Sequence, residues 1–224
     1  MFRNTQGSSC RAPDDLVRIL GSIYFSAHPV DSLLFQNPDL FHDLYVFKCV
    51  TTVIFTSGDR GIKGNFSLSL EHGLEEAYSW MAGLPMDVPS QKNSSVRING
   101  YEIPSWSMRN MSNIQIIYLR IPDGGPAGQG YDANDGESLV KLYNGKLKSI
   151  TTTDGNATYT LDELKDLLSA ILNMRQANDI RVLDHKASIS NTQDTISHNT
   201  DHVISAKLVM DAINRTKNGA NITA

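Results

Sequence analysis

Short apolar runs alternate along the chain with segments whose apolar residues recur every three or four positions. That pattern predicts strands alternating with crossover helices in an α/β layered fold. Leu16–Ser26 contains a buried strand ending at Ala27-His28-Pro29. Cys49–Thr56, rich in β-branched residues, is a second, ending at the turn Ser57-Gly58-Asp59-Arg60-Gly61. A strand followed by a Gly-punctuated turn suits an open sheet that holds ligands at the carboxyl ends of its strands. Leu33–Leu44 supplies one helical crossover and Ser69–Met81 another. Ser90–Asn113 is polar and reads as a surface excursion, Asn113–Ile121 as a strand, and Pro122–Gly136 as a Gly-rich loop near the mouth of a site. After a turn at Asp154-Gly155-Asn156, Thr160 and Glu163 form a capping box that opens a helix with Leu161, Leu164, Leu168, Ile171 and Leu172 at helical spacing. Asp179–Leu183 is a further strand, Asp184–Thr200 a polar loop, and Asp201–Arg215 a final helix with Val203, Ala206, Met210 and Ile213 on one face. The sum is a Rossmann-like, open, mostly parallel sheet with helices on both faces. Residues 1–15 read as a tail and 16–224 as a single domain.

Composition narrows the partners. With 224 residues, 40% of them hydrophobic, and 20 basic against 24 acidic side chains, the chain is globular and slightly acidic. It has no run of Lys or Arg, so nucleic acid and anionic membranes are disfavoured. Its apolar stretches fall far short of the roughly 20 residues that span a bilayer. Met1–Ser9 lacks the apolar run of a signal peptide. Cys10 and Cys49 allow a single bridge, although two cysteines are equally ordinary in a cytosolic protein. Six N-x-S/T sequons, at Asn65, Asn93, Asn110, Asn156, Asn214 and Asn221, lean towards a secretory route; Asn-rich loops are the alternative reading. Compartment and oligomeric state stay open.

Histidine is scarce, which makes its placement informative. Of six, His185, His198 and His202 lie within eighteen residues, and His28 sits where the first strand ends. His28 and Asp31 are three apart across a strand-to-helix turn, a spacing that lets both side chains point at one ion. His202, from the start of the last helix, would complete two imidazoles and a carboxylate, a ligand set suited to zinc with one position open. Spacing alone also fits a plain turn at His28-Pro29 and a helix cap at Asp201-His202. His42 and His72 read as surface residues, and His185 as a solvated loop histidine.

Several stretches together resemble the PIG-L/LmbE-like de-N-acetylase family, its fungal branch in particular. They are Ala27-His28-Pro29-Val30-Asp31 with Leu33-Leu34-Phe35 and Asn37-Pro38-Asp39-Leu40, then Thr56-Ser57-Gly58-Asp59-Arg60-Gly61, then Glu71-His72-Gly73 with Ala77-Tyr78 and Met81-Ala82-Gly83. Thr158-Tyr159-Thr160 with Glu163-Leu164, and Thr200-Asp201-His202 with Ser205-Ala206-Lys207, follow in the family's order. The resemblance implies a zinc-dependent hydrolase that removes the N-acetyl group from an N-acetylglucosamine-containing glycoconjugate or glycolipid. It implies His28, Asp31 and His202 as zinc ligands, with Asp201 orienting His202 or assisting proton transfer.

Three departures qualify that implication. The family's general base is an Asp at the position of Val30, and a base typically contributes ~10²–10⁴-fold. The first His of its closing motif, which stabilises the oxyanion, falls on Asn199, with His198 one place earlier; one lost oxyanion donor costs about 10²–10³-fold. An Arg that contacts substrate falls on Leu70. Asp59 or Asp201 could serve as base instead, His198 could stand in for the missing histidine, and Asn199 could still donate a hydrogen bond to substrate. The alternative is a catalytically silent relative that keeps zinc and sugar binding. The chain also stops soon after its last helix, where the resemblance implies another strand.

Overall fold

A computed structural model describes residues 21–84, 94–109, 111–187, 199–216 and 221–223. The expected tail, with Cys10, lies outside them. Strand β1 (Gly21–Ser26) leads into two short helices, α1 (Asp31–Phe35) and α2 (Asp39–Tyr45), and then β2 (Cys49–Thr56) and α3 (Phe66–Met81). The single helix expected over Leu33–Leu44 is thus two. Pro38 offers no N–H to a continuing helix and keeps Asn37 out of the helical region, so the chain turns through Gln36-Asn37-Pro38 and starts again.

Three further strands follow, β3 (Ser94–Ile98), β4 (Tyr101–Met108) and β5 (Met111–Ile121). The polar stretch read as a surface excursion is therefore, from Ser94 onward, an antiparallel hairpin on the sheet. Its turn is Asn99-Gly100, with φ of 50° and 89°. Two consecutive positive φ values make the turn whose twist matches a two-residue hairpin, and Asn-Gly adopts it most readily. A 3₁₀ turn (Asp132–Asn134) and α4 (Leu139–Tyr143) precede a small two-stranded ladder, β6 (Ser149–Thr151) with β7 (Thr158–Thr160). Helix α5 (Leu161–Arg175) carries the expected capping box: Glu163 N–H donates to Thr160 Oγ1, and Thr160 N–H donates to the Glu163 carboxylate. Strand β8 (Asp179–Arg181), helix α6 (Thr200–Arg215) and strand β9 (Asn221–Thr223) complete the order. A strand does therefore follow the last helix, in the few residues between it and the end of the chain.

The sheet runs β3-β4-β5-β2-β1-β8-β9, with β5, β2, β1, β8 and β9 mutually parallel. Side-chain alternation splits its core into two layers. Ile23, Phe25, Val53, Phe55, Ile117 and Leu119 pack against α4, α5 and α6. Tyr24, Val50, Ile54, Ile116 and Tyr118 pack against α2 and α3. With helices on both faces the central strands β1 and β2 are buried throughout, which is why they read as unbroken runs rather than alternating ones. The carboxyl ends of β1, β2 and β5 lie along one rim, joined there by Thr56 N–H donating to Ala27 O and Ser57 N–H to Ile121 O, both 2.8 Å. No helix among the described residues is long and apolar enough to cross a membrane.

Candidate metal centre

Four segments meet on that rim. His28 follows β1, Asp31 opens α1, Asp123 follows β5, and His202 lies on the first turn of α6. Asn199 caps α6, its side-chain oxygen accepting from Asp201 N–H at 2.9 Å. The Gly-rich loop after β5 is clipped onto the same helix end. Gly124 N–H donates to Asp201 Oδ2 (2.8 Å), Thr200 N–H to Pro126 O (3.1 Å), and Thr200 Oγ1 to Gly125 O (3.2 Å). Gly124 is required at its position: a Cβ there would stand 2.7 Å from Asp201 Oδ1 and 2.9 Å from Ser138 Cβ.

At the centre, three ligand atoms form a nearly equilateral triangle. His28 Nδ1 is 3.1 Å from Asp31 Oδ2 and 3.2 Å from His202 Nε2, and His202 Nε2 is 3.2 Å from Asp31 Oδ2. Two ring nitrogens that close repel through their lone pairs unless a proton or a cation lies between them. Zinc bonds of ~2.0–2.1 Å at tetrahedral angles separate ligand atoms by about 3.3 Å, so the donor set fits a zinc-like cation in spacing as well as in chemistry. His28, Asp31 and His202 are one of two groups among the described residues able to hold a metal ion; the other, His28, Asp123 and Asp201, shares the same imidazole.

The shared imidazole gives His28 two faces. Nδ1 looks into the triangle, while Nε2 is 3.5 Å from Asp201 Oδ2 and 3.9 Å from Asp123 Oδ2. A carboxylate behind the distal nitrogen of a ligating histidine fixes its tautomer and makes it a better ligand. Asp201, fully buried, stands behind His28 in this way and not behind His202. Its other oxygen, Oδ1, has no hydrogen-bond partner. Burial works against a charged His28, but hydrogen bonds to Asp201 and Asp31 outweigh it and raise the ring to about 10. Burial likewise opposes the Asp31 charge, and the two histidines overcome it, holding that carboxyl well below its usual range.

The other expected site residues fall as follows. Asp59 is buried on the rim, and its carboxylate accepts three hydrogen bonds: from Asp123 N–H (3.0 Å), Gly61 N–H (3.0 Å) and Asn134 Nδ2 (2.7 Å). It ties β2 to the loop after β5. Asn199 lines the cavity over the triangle, while His198 lies outside the described residues. His42 and His72 are exposed, as expected. His185 differs: its Nδ1 is buried without a hydrogen-bond partner.

The residue missed from the sequence is Asp123. It is buried, it lines the cavity, and Gly125 N–H donates to its Oδ1 at 2.8 Å, leaving Oδ2 beside His28. Burial pushes its carboxyl above the usual carboxylate range. The available signal was an Asp immediately after a strand, where the rim gathers functional side chains; its neighbours Gly124 and Gly125 made it look like a turn residue.

The cavity holds about 590 Å³, and the triangle forms part of its wall. All three departures from the resembled motif, Val30, Leu70 and Asn199, line it. Phe35 sets its ring edge-on to His202, with centroids 5.4 Å apart.

No protein-family model matches the chain, and no curated protein matches it by sequence. Among solved structures, it is similar to an N,N'-diacetylchitobiose deacetylase from Pyrococcus horikoshii at 12% identity, with a TM-score of 0.45, over 87% of this chain and 49% of that one. It is also similar to a conserved protein from Thermus thermophilus at 15% identity, with a TM-score of 0.46, over 92% of this chain and 60% of that one. The chain spans about half to three fifths of the length of these structures.

Proposed function

We propose that the chain is a zinc-dependent amide hydrolase that removes the N-acetyl group from an N-acetylglucosamine conjugate. The observation that carries this reading is the His28–Asp31–His202 triangle, with edges of 3.1–3.2 Å, in the wall of a cavity. The motifs shared with the de-N-acetylase family supply the reaction class. A cation held by these three residues supplies Lewis-acid polarisation of an amide carbonyl and acidifies water.

The chain's own groups do the rest. Asp201 holds His28 from behind. Asp59, engaged by three hydrogen bonds, positions the backbone of Asp123 rather than taking protons. Asp123 Oδ2 is then the carboxylate oxygen that accepts a proton from water and returns it to the leaving amine, the task that Val30 cannot perform. Asn199 offers its amide N–H to the carbonyl oxygen, and His198 is proposed as a second donor from the same segment.

A second reading is favoured by one observation. Val30, 40% exposed, presents an aliphatic side chain on the cavity wall at the position of the missing base. On that reading the protein binds zinc and sugar without turnover. Metal analysis combined with acetate release from N-acetylglucosaminyl substrates decides between them. Hydrolysis requires one zinc per chain and turnover above that of His28→Ala. Zinc without turnover, with activity appearing in Val30→Asp, establishes the silent reading, and absence of zinc binding overturns both.

A further inference from the structure

Six N-x-S/T sequons stand in the chain, where about three would arise by chance from its 17 Asn and 36 Ser and Thr. Four lie among the described residues: Asn65-Phe66-Ser67, Asn156-Ala157-Thr158, Asn214-Arg215-Thr216 and Asn221-Ile222-Thr223. Asn93 and Asn110 lie outside them. All four sequon asparagines are exposed, whereas four of the eight described asparagines without a sequon are partly buried. The amide nitrogens sharpen the contrast. Asn37, Asn99, Asn113 and Asn134, none in a sequon, donate Nδ2 to Leu33 O (2.7 Å), Asp166 O (3.2 Å), Phe47 O (3.0 Å) and the Asp59 carboxylate (2.7 Å). Asn65 occupies the N-cap of α3, where an Asn side chain ordinarily bonds the helix backbone, yet it makes no capping bond. Asn156 lies in the turn between β6 and β7, its side chain hydrogen-bonded to Asp154. A primary amide carries two N–H groups, so one can be substituted while the other keeps that bond. Asn214 is on the last turn of α6, and Asn221 opens β9. Cys49 adds an independent observation. It is disulfide-bonded at the start of β2, and such bonds persist in the oxidising compartments through which secreted chains pass.

From the exposure of these four amides and the bonded state of Cys49 we infer that Asn65, Asn156, Asn214 and Asn221 are N-glycosylation sites of a chain that travels the secretory route. The inference stands apart from the hydrolase reading. The co-reactant is an oligosaccharide linked to a polyprenyl pyrophosphate, presented by a membrane-bound transferase. Asn Nδ2 attacks C1 of the first sugar: the Nδ2–C1 bond forms, the C1–O bond breaks, the pyrophosphate leaves with the bonding pair, and the nitrogen gives one proton to a base of the transferase. Asn65 is next to Gly64 and Asn156 is two residues past Asp154, and Gly64 and Asp154 line one polar cleft. Asn221 is instead on the edge strand of the sheet, beside Ile222, which is 41% exposed. An open edge invites pairing with another chain unless charge, Pro or bulk covers it. Strand β9 has neither charge nor Pro, and a glycan on Asn221 supplies the bulk.

Protein purified from the cells that make it tests this directly, by digestion and treatment with peptide-N-glycosidase in heavy-oxygen water. Each occupied Asn is then released as Asp carrying the heavy oxygen. The label should appear at Asn65, Asn156, Asn214 and Asn221, and omission of the glycosidase should remove it. A site without label is struck from the set, and four sequon peptides all recovered unmodified overturn the inference. The full chain secreted from eukaryotic cells behind a cleavable leader assigns the sites singly. Asn65→Gln, Asn156→Gln, Asn214→Gln and Asn221→Gln should each remove the mass of one glycan from the product, while Asn144→Gln, exposed but outside any sequon, should leave it unchanged. Where a Gln variant is not secreted, the change of the hydroxyl residue, Ser67→Ala, Thr158→Ala, Thr216→Ala or Thr223→Ala, removes the same glycan and replaces it in the series. A product whose mass none of these variants alters also overturns the inference.

Discussion

Asp201 concentrates several demands on one side chain. Its Oδ2 accepts from Gly124 N–H and faces His28 Nε2, so it fixes both the loop after β5 and the ring proposed as a metal ligand. In Asp201→Asn the shape survives but the charge behind His28 is gone. Metal affinity, measured by competition with a chelator of known strength, should fall about 10–100-fold while the fold remains intact by circular dichroism. An unchanged affinity would mean that His28 is oriented by packing alone. The contrast with Asp123 shows what the sequence could convey. The His28–Asp31 pair announces itself by a spacing of three, and His202 by its place at the head of an amphipathic helix. Asp123 has no such spacing; it becomes a site residue only because the carboxyl end of β5 lies beside that of β2, a neighbour relation fixed by the sheet order.

Elements were legible wherever burial was one-sided or complete. The continuous apolar runs of β1 and β2 could only be covered strands, and the capping box marked the start of α5. The β3–β4 hairpin was hidden because β4 serves both core layers: Ile103 packs on one face of the sheet and Trp106 and Met108 on the other, so its buried residues break the period of two, and Glu102, Ser105 and Ser107 beside them give the stretch a polar look. Helix α3 carries a different hidden feature. Glu75 faces the sheet, within 3.3 Å of the Tyr118 hydroxyl and near Glu71 and His72. Burial, reinforced by the Glu71 charge against the opposing hydrogen bond from Tyr118, raises its carboxyl from 4.5 to about 7. Because the folded value lies above the unfolded one, the folded chain prefers the protonated acid. The associated stability is full below about pH 4.5 and is lost as pH rises towards 7. Glu75→Gln, which keeps a neutral group of the same shape, should therefore be more stable than the parent at pH 8, by on the order of 3 kcal/mol. The gap should shrink near pH 5. Urea unfolding at the two pH values measures it, and a gap independent of pH would refute the buried-acid account.

For the whole molecule, a cation held at the triangle, as proposed, would couple metal uptake to stability and to pH. His28 and Asp31 belong to the first strand and helix, and His202 to the last helix, so a ligand bound to all three stabilises only the folded chain. At zinc concentrations a hundredfold above the dissociation constant the gain should be about 2.7 kcal/mol, seen as a higher melting temperature that a chelator reverses and His28→Ala abolishes. Protons compete for the same ring. The metal-free folded value for His28, about 10, lies above its unfolded value of 6.5. Without metal, the proton's contribution to stability is therefore full below about pH 6.5 and lost as pH rises towards 10. Zinc must displace that proton, so its affinity should rise about tenfold per pH unit from pH 7 to 9. A zinc affinity independent of pH across that range would show that His28 is already neutral.

The 174-residue separation between His28 and His202 also carries a statement about time. Contacts between residues so far apart in sequence close a long loop, whose entropy must be offset before the contact is gained. The triangle cannot exist until β1 is paired and α6 has docked its first turn beside it. On the proposed zinc reading, uptake by a refolding chain would be a clock for the closing of that contact, and a fluorescent chelator losing its metal should report it after the sheet has already recovered its circular dichroism.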